Sequence, residues 1–112
     1  MVIDMERLYE ILRKFNERAQ KDNKFRKDIE GLERKILVDF TDNGKYSFEL
    51  KDSMISEIKN YEGSYDIEVY IDTSTFNEII DGKTDALSAY ILKKFRVKAS
   101  LSDKLLISQL LK

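Results

Sequence analysis

The sequence predicts an α+β fold, a five-stranded, mostly antiparallel sheet covered on one face by about five helices. Three observations predict it. Apolar residues recur at three- and four-residue steps near both ends of the chain, and from Arg34 the period changes to two. Each alternating run has one apolar face and each helical run one apolar stripe, so packing the stripes on one sheet face buries both. The 112 residues suffice for one hydrophobic core, and residues 1–112 are read as a single domain without repeats or linkers.

The elements follow in order. Met5, Leu8, Tyr9, Leu12, Phe15 and Ala19 mark an amphipathic helix from Asp4 to about Lys21. Asp22 and Asn23 supply a stop and a new N-cap for a short helix with Phe25 and Ile29 on one face, and Gly31 ends it. Ile36, Val38 and Phe40 then alternate with Leu37, Asp39 and Thr41, and Tyr46, Phe48 and Leu50 with Ser47, Glu49 and Lys51 after Asp42-Asn43-Gly44-Lys45. Asn-Gly tolerates the positive φ of a type I′ turn, so the two strands are expected to form a hairpin there. A tight turn at Lys51-Asp52-Ser53 leads to a third strand, Met54 to Lys59, and residues 60–64 form a looser connection.

Tyr65, Ile67, Val69 and Ile71 give the cleanest alternation, a strand with one buried and one wet face. Asp72 and Thr73 offer N-cap oxygens to a helix with Phe76, Ile79 and Ile80 that stops at Asp81-Gly82. Thr84 is expected to cap a helix carrying Leu87, Ala89, Tyr90 and Ile91, which passes with hardly a break into a strand of Phe95, Val97 and Ala99. Ser100 or Ser102 caps a last helix whose apolar side holds Leu105, Leu106, Leu110 and Leu111.

Composition narrows the chemistry. Apolar residues make up 42% and charged residues 37%, a globular balance, and there is neither Cys nor His. That excludes thiol chemistry and disulfides and removes the usual ligands of zinc. The carboxylate pairs Asp39 with Glu49 and Asp66 with Glu68 fall at outward strand positions without a neighbouring nucleophile, so no catalytic residue, metal or cofactor is assigned. The longest apolar runs are a few residues, and MVIDMERL lacks a secretory segment, so a cytoplasmic location is expected. Net charge is −1 but uneven: +2 over residues 1–35, −8 over residues 36–82 and +5 over residues 83–112.

Several stretches, read together, resemble the sterol carrier protein type 2 family of lipid-binding domains. They are NDNKFRKDIEGL, DFTDNGKYSFEL, YDIEVYID passing into TSTFNEIIDGKTDALSAYI, and KKFRVKASLSDKLLISQLL. Phe76, Gly82, Lys83, Asp85, Ala89, Lys94, Phe95 and Val97 fall where the family pattern has an aromatic, a Gly-Lys pair, an Asp, an Ala and a strand of alternating Lys and apolar residues. This chain departs from it with Asp85-Ala86 for a common Asp-Pro, with Lys93 and Ala99 for frequent glycines, and with Asp52-Ser53 for Asp-Gly. The resemblance implies an apolar tunnel between sheet and helices that binds or moves sterols, fatty acyl chains or other lipids.

On that basis Phe48, Leu50, Ile67, Val69, Ile71, Phe76, Ile80, Leu87, Tyr90, Ile91, Leu106 and Leu110 are candidate cavity-lining residues. The residues alone allow a plain core instead. Tyr90 is the candidate for a cavity mouth or a ligand head group, since its hydroxyl needs water or a partner. The last helix is either a fixed seal or a lid. Lys83, Lys93, Lys94 and Lys98, with Arg96 and Lys104, either meet anionic lipid or form a solvated face paired with acids such as Asp66 and Glu68. Nucleic acid is not expected as a partner, because the overall charge is slightly acidic and the aromatics sit on apolar faces. The expected function is non-enzymatic carriage of a lipid-like molecule by a monomer or homodimer. The alternative is a closed-core accessory module of lipid or quinone metabolism.

Overall fold

The computed structural model describes residues 4–59 and 63–111. The expected Met5 side chain and the connection at residues 60–62 lie outside that description. The described elements are α1 (Asp4–Lys21), α2 (Asn23–Ile29), β1 (Arg34–Phe40), β2 (Gly44–Lys51), β3 (Met54–Ile55), β4 (Ile67–Ile71), α3 (Thr73–Ile80), α4 (Ala86–Ile91), β5 (Arg96–Lys98) and α5 (Leu101–Leu110). The sheet order is β3-β2-β1-β4-β5. Every neighbouring pair is antiparallel except β1 and β4, which run parallel in the centre.

The register aligns apolar rows across the strands. Ile36 faces Phe48 and Ile67, Val38 faces Tyr46 and Val69, and Phe40 lies beside Ile71. Period two puts all of these on one face, and that face meets Leu8, Ile11, Leu12 and Phe15 of α1, Phe76 of α3 and Ile107 of α5 in one buried cluster. The opposite face carries charge: Lys35 opposes Glu49, Asp39 opposes Lys45, and Glu68 opposes Lys98. The carboxylates singled out in the sequence thus sit in ordinary cross-strand partnerships, while Asp66 accepts the Lys35 amide at 2.8 Å.

Turns and caps differ from expectation in instructive ways. Gly44 does not adopt positive φ; the β1–β2 link is the three-residue loop Thr41-Asp42-Asn43, closed by Asn43 N–H donating to the Phe40 carbonyl at 2.9 Å. The type I′ geometry falls instead at Asp52 and Ser53, with φ of 54° and 62°. Regular pairing of β3 stops at Ile55, short of the expected Lys59. Beyond it Ser56 donates to the Glu49 carbonyl, and Lys59 to that of Ser47, one residue out of register as at a bulge. Asn16 of α1 covers this edge, its side-chain amide bonding both the N–H and the carbonyl of Ile55 at 2.7 and 3.0 Å.

Asp85, not Thr84, is the N-cap of α4, accepting from Ser88 N–H at 2.7 Å, and Ser100 caps α5. At their C-termini α3 and α4 end in the same way. Lys83 N–H returns to the Glu78 carbonyl and Gly82 N–H to that of Ile79; Lys94 N–H returns to Ala89 and Lys93 N–H to Tyr90. These are two Schellman motifs, with φ of 77° at Gly82 and 60° at Lys93. Glycine fits that conformation freely, whereas an L side chain costs about 1 kcal/mol there.

Two aspartates that accept hydrogen bonds at helix starts, the cap Asp85 and the loop residue Asp42, carry an acid dependence. Asp85 is held below the ordinary 3.8 by the N–H and then the hydroxyl of Ser88, and Asp42 below 3.8 by the hydroxyl and then the N–H of Thr73. Groups lowered on folding contribute stability that is complete above 3.8 and is lost as pH falls through their lowered values. Urea midpoints measured against pH should fall across that acid range. The fall should be shallower in Asp85→Asn and Asp42→Asn, which keep hydrogen-bond acceptors but cannot titrate. Identical slopes in the variants would show that other groups control acid unfolding.

Candidate functional site

The candidate site is the space between the sheet's apolar face and the helix layer. Its walls come from Val38 of β1, Val69 and Ile71 of β4, Phe76 of α3, Leu8 and Ile11 of α1, and Ile107, Leu110 and Leu111 of α5. The residues meet there because three helices with different sheet contacts each project one stripe inward. The enclosed volume is about 10 Å³, barely one water and far below the 300 Å³ or more of ordinary ligand pockets. Phe76, one of its walls, packs edge to face on Phe40 at 5.0 Å.

The twelve expected lining residues divide accordingly. Val69, Ile71, Phe76 and Leu110 line this space. Phe48, Leu50 and Ile67 are fully buried on the sheet's inner face, and Ile80 and Tyr90 are half-buried against the core. Leu106 is buried beside a groove between α2 and α5. Leu87 and Ile91 are corrections: they stand 61% and 67% exposed. In a six-residue helix that buries Ala89, residues two positions away on either side lie about 200° round the axis and must face out. Leu105 is exposed for a similar reason, and Ile107 takes its expected place inside. Sequence reasoning missed Ile11 and Ile107, although each sits three or four residues from another buried position, the spacing that marks one face.

Helix α5 separates the interior from two open grooves. One, of about 480 Å³, runs between α2 and α5 past Phe25, Ile29, Leu105 and Leu106. The other, of about 490 Å³, runs from Gly82-Lys83-Thr84 past Leu87 to Ser108 and Leu111. Leu111 lines both this groove and the inner space. Gln109 lines both grooves, and its buried Oε1 has no hydrogen-bond partner. The N-terminal half of α5 is anchored differently: Arg34 Nε reaches both Asp103 carboxylate oxygens at 3.0 and 3.1 Å.

Tyr90 packs edge to face on Phe95 at 5.8 Å, with Lys104 Nζ 5.5 Å from its ring centroid. Around it the basic residues are not held by acids. Among the described residues, the ion pairs within 4 Å are Arg7–Asp81, Lys14–Glu10 and Arg34–Asp103, and none engages Lys83, Lys93, Lys94 or Lys98. Glu68, opposite Lys98, instead accepts from the Tyr70 hydroxyl, which raises that phenol's pKa, and Arg96 stacks over the Tyr70 ring at 5.1 Å. Among the described residues no helix is long and apolar enough to cross a membrane.

Comparison with known proteins agrees with this geometry. A ubiquinone synthesis protein structure, UbiJ-SCP2, is 11% identical and superposes with a TM-score of 0.65 over 99% of this chain and 93% of its own. Palmitated SCP2L2 from Aedes aegypti is 12% identical, with a TM-score of 0.61 over 99% of this chain and 95% of its own. The stereoselective inverting sec-alkylsulfatase Pisa1 from Pseudomonas sp. is 14% identical with a TM-score of 0.59 over 75% of this chain, which spans only 14% of that enzyme. None of the curated proteins compared is similar enough in sequence to count as a match. The family model of the SCP-2 sterol transfer family matches residues 12–112, from the middle of α1 through α5, and the chain belongs to that family.

Proposed function

We propose that this protein binds and transfers, without catalysis, a hydrophobic lipid-like ligand: a sterol or isoprenoid, a fatty acid or an acyl-CoA. The ligand lies between the sheet and the helices, in a space that forms when the C-terminal end of α5 moves outward. The observation that carries this reading is the position of Leu111, the one side chain shared by an apolar interior and an open groove of about 490 Å³. Membership of a lipid-transfer family supports it. The energetics are favourable for a carrier: an acyl chain gains about 0.8 kcal/mol per methylene on leaving water, and a bilayer offers much the same. A carrier therefore has only to match the membrane loosely, which an apolar space achieves with no acid, base or nucleophile. The proposed location is the cytoplasm, as a monomer or homodimer of this one domain.

The filled interior favours a second reading. With only about 10 Å³ enclosed, the chain would serve as a closed accessory module in lipid or quinone metabolism. Native mass spectrometry of protein purified from cells separates the two. The carrier is expected to retain a lipid, or after delipidation to take up a fluorescent acyl or sterol probe. Clean apoprotein that also refuses both probes would sink the carrier and leave the accessory module.

A further inference from the structure

The end of α4 presents apolar bulk to the outside. Leu87, Ile91 and the C-cap Leu92 are 61%, 67% and 66% exposed on a helix of six residues. Lys93 and Lys94 follow at once, Lys83 stands before the helix, and Lys98 lies on the adjoining edge strand. The residues from 83 onward, which include this tip, carry a net +5. Lys93 adds an independent sign. Its φ of 60° is the conformation that Gly82 occupies in the matching motif of α3, yet this chain places a long cation there. A long cation held in that conformation points to use of its side chain.

We propose that this tip docks on the surface of an anionic lipid bilayer. Leu87, Ile91 and Leu92 enter the boundary between head groups and acyl chains, and Lys83, Lys93, Lys94 and Lys98 meet the lipid anions. A purely polar partner would leave three large apolar side chains unused. A purely apolar one would bury Lys93 and Lys94, which no acid pairs within 4 Å among the described residues. An anionic bilayer satisfies both, because its head groups and hydrocarbon are stacked in the same order as the lysine rim and the apolar tip. The inference rests on the surface of α4 and not on the interior, so vesicle binding and probe uptake can succeed or fail separately.

The test uses delipidated protein and vesicles of phosphatidylcholine alone or mixed with phosphatidylserine. Sedimentation is expected with the mixed vesicles and not with the neutral ones. Lys93→Gly should weaken that binding about fivefold, the effect of one surface lysine, while raising Tm by about 4 °C. Better folding with poorer binding rules out damage to the fold as the cause. Removing Lys93, Lys94 and Lys98 together, as glutamines, should weaken binding about a hundredfold. The chain has no Trp, so single reporters are clean. Emission of Leu92→Trp should shift to the blue on mixed vesicles, and that of Tyr9→Trp on the exposed part of α1 should not. Equal binding to neutral vesicles, unchanged binding by Lys93→Gly, or a shift at Tyr9→Trp alone would overturn the proposal.

Discussion

Phe76→Ala is expected to destabilise the folded protein by about 3–5 kcal/mol and to make it more responsive to lipid. Phe76 is 1% exposed, packs on Phe40, and closes the inner space against Val69, Ile71 and Leu110. Removing its ring takes away buried apolar area and leaves a void that the rigid sheet beneath cannot collapse to fill. The loss is a large part of the roughly 5–15 kcal/mol that holds a domain together, so the measurement calls for urea titration at low temperature. A fluorescent acyl probe that enters the enlarged space restores stability by mass action, about 2.7 kcal/mol at a hundred times its Kd. Phe48→Ala is the matched control. It sits fully buried on the same sheet face but does not line the inner space, so its equal loss should not be rescued. Equal rescue of both variants, or of neither, would count against a ligand between the layers.

That contrast also shows where sequence periodicity stops informing. Alternation in Ile67-Val69-Ile71 identified a buried strand face without ambiguity, because a two-residue period leaves only two faces. Short helices are harder. Leu87 and Ile91 have the same composition as core residues, and only the burial of Ala89 tells which side of α4 is inside. Turn chemistry identified where the chain reverses but not which residues take positive φ: Asn43-Gly44 has the better signature, and Asp52-Ser53 has the geometry. The parallel contact of β1 with β4 is set by the path of the chain across the sheet, to which no local pattern is sensitive. The same limit applies to the site. Apolar identity marked Val69, Ile71, Phe76 and Leu110, whereas sequence reasoning passed over Ile107 for its apolar neighbours Leu105 and Leu106, and the packing of α5 selects it. The partnership of Arg34 with Asp103 spans 69 positions and has no sequence signal.

Arg34→Met should cost about 3 kcal/mol and Asp103→Asn about 1 kcal/mol, although both break the same ion pair. The asymmetry comes from burial. Asp103 is 8% exposed, while the Arg34 side chain is 29% exposed and also donates to the Glu33 carbonyl at 2.9 Å. Without Arg34 the carboxylate stays buried in the first turn of α5 without its ionic partner. Without the charge of Asp103 the guanidinium can turn to water, and the asparagine oxygen still accepts from Nε. Urea midpoints measure the difference directly. The pair also fixes the mechanical role of α5, because it ties the helix's first half to β1 while Leu110 and Leu111 close its second half on the inner space. On the proposed carrier reading, opening would proceed from the C-terminal end about an anchored start. In Arg34→Met that anchor is lost, and bound acyl probe should dissociate several-fold faster than from Asp103→Asn. A probe dissociation rate that follows neither variant, with the stability difference present, would make α5 a fixed seal and place ligand entry elsewhere.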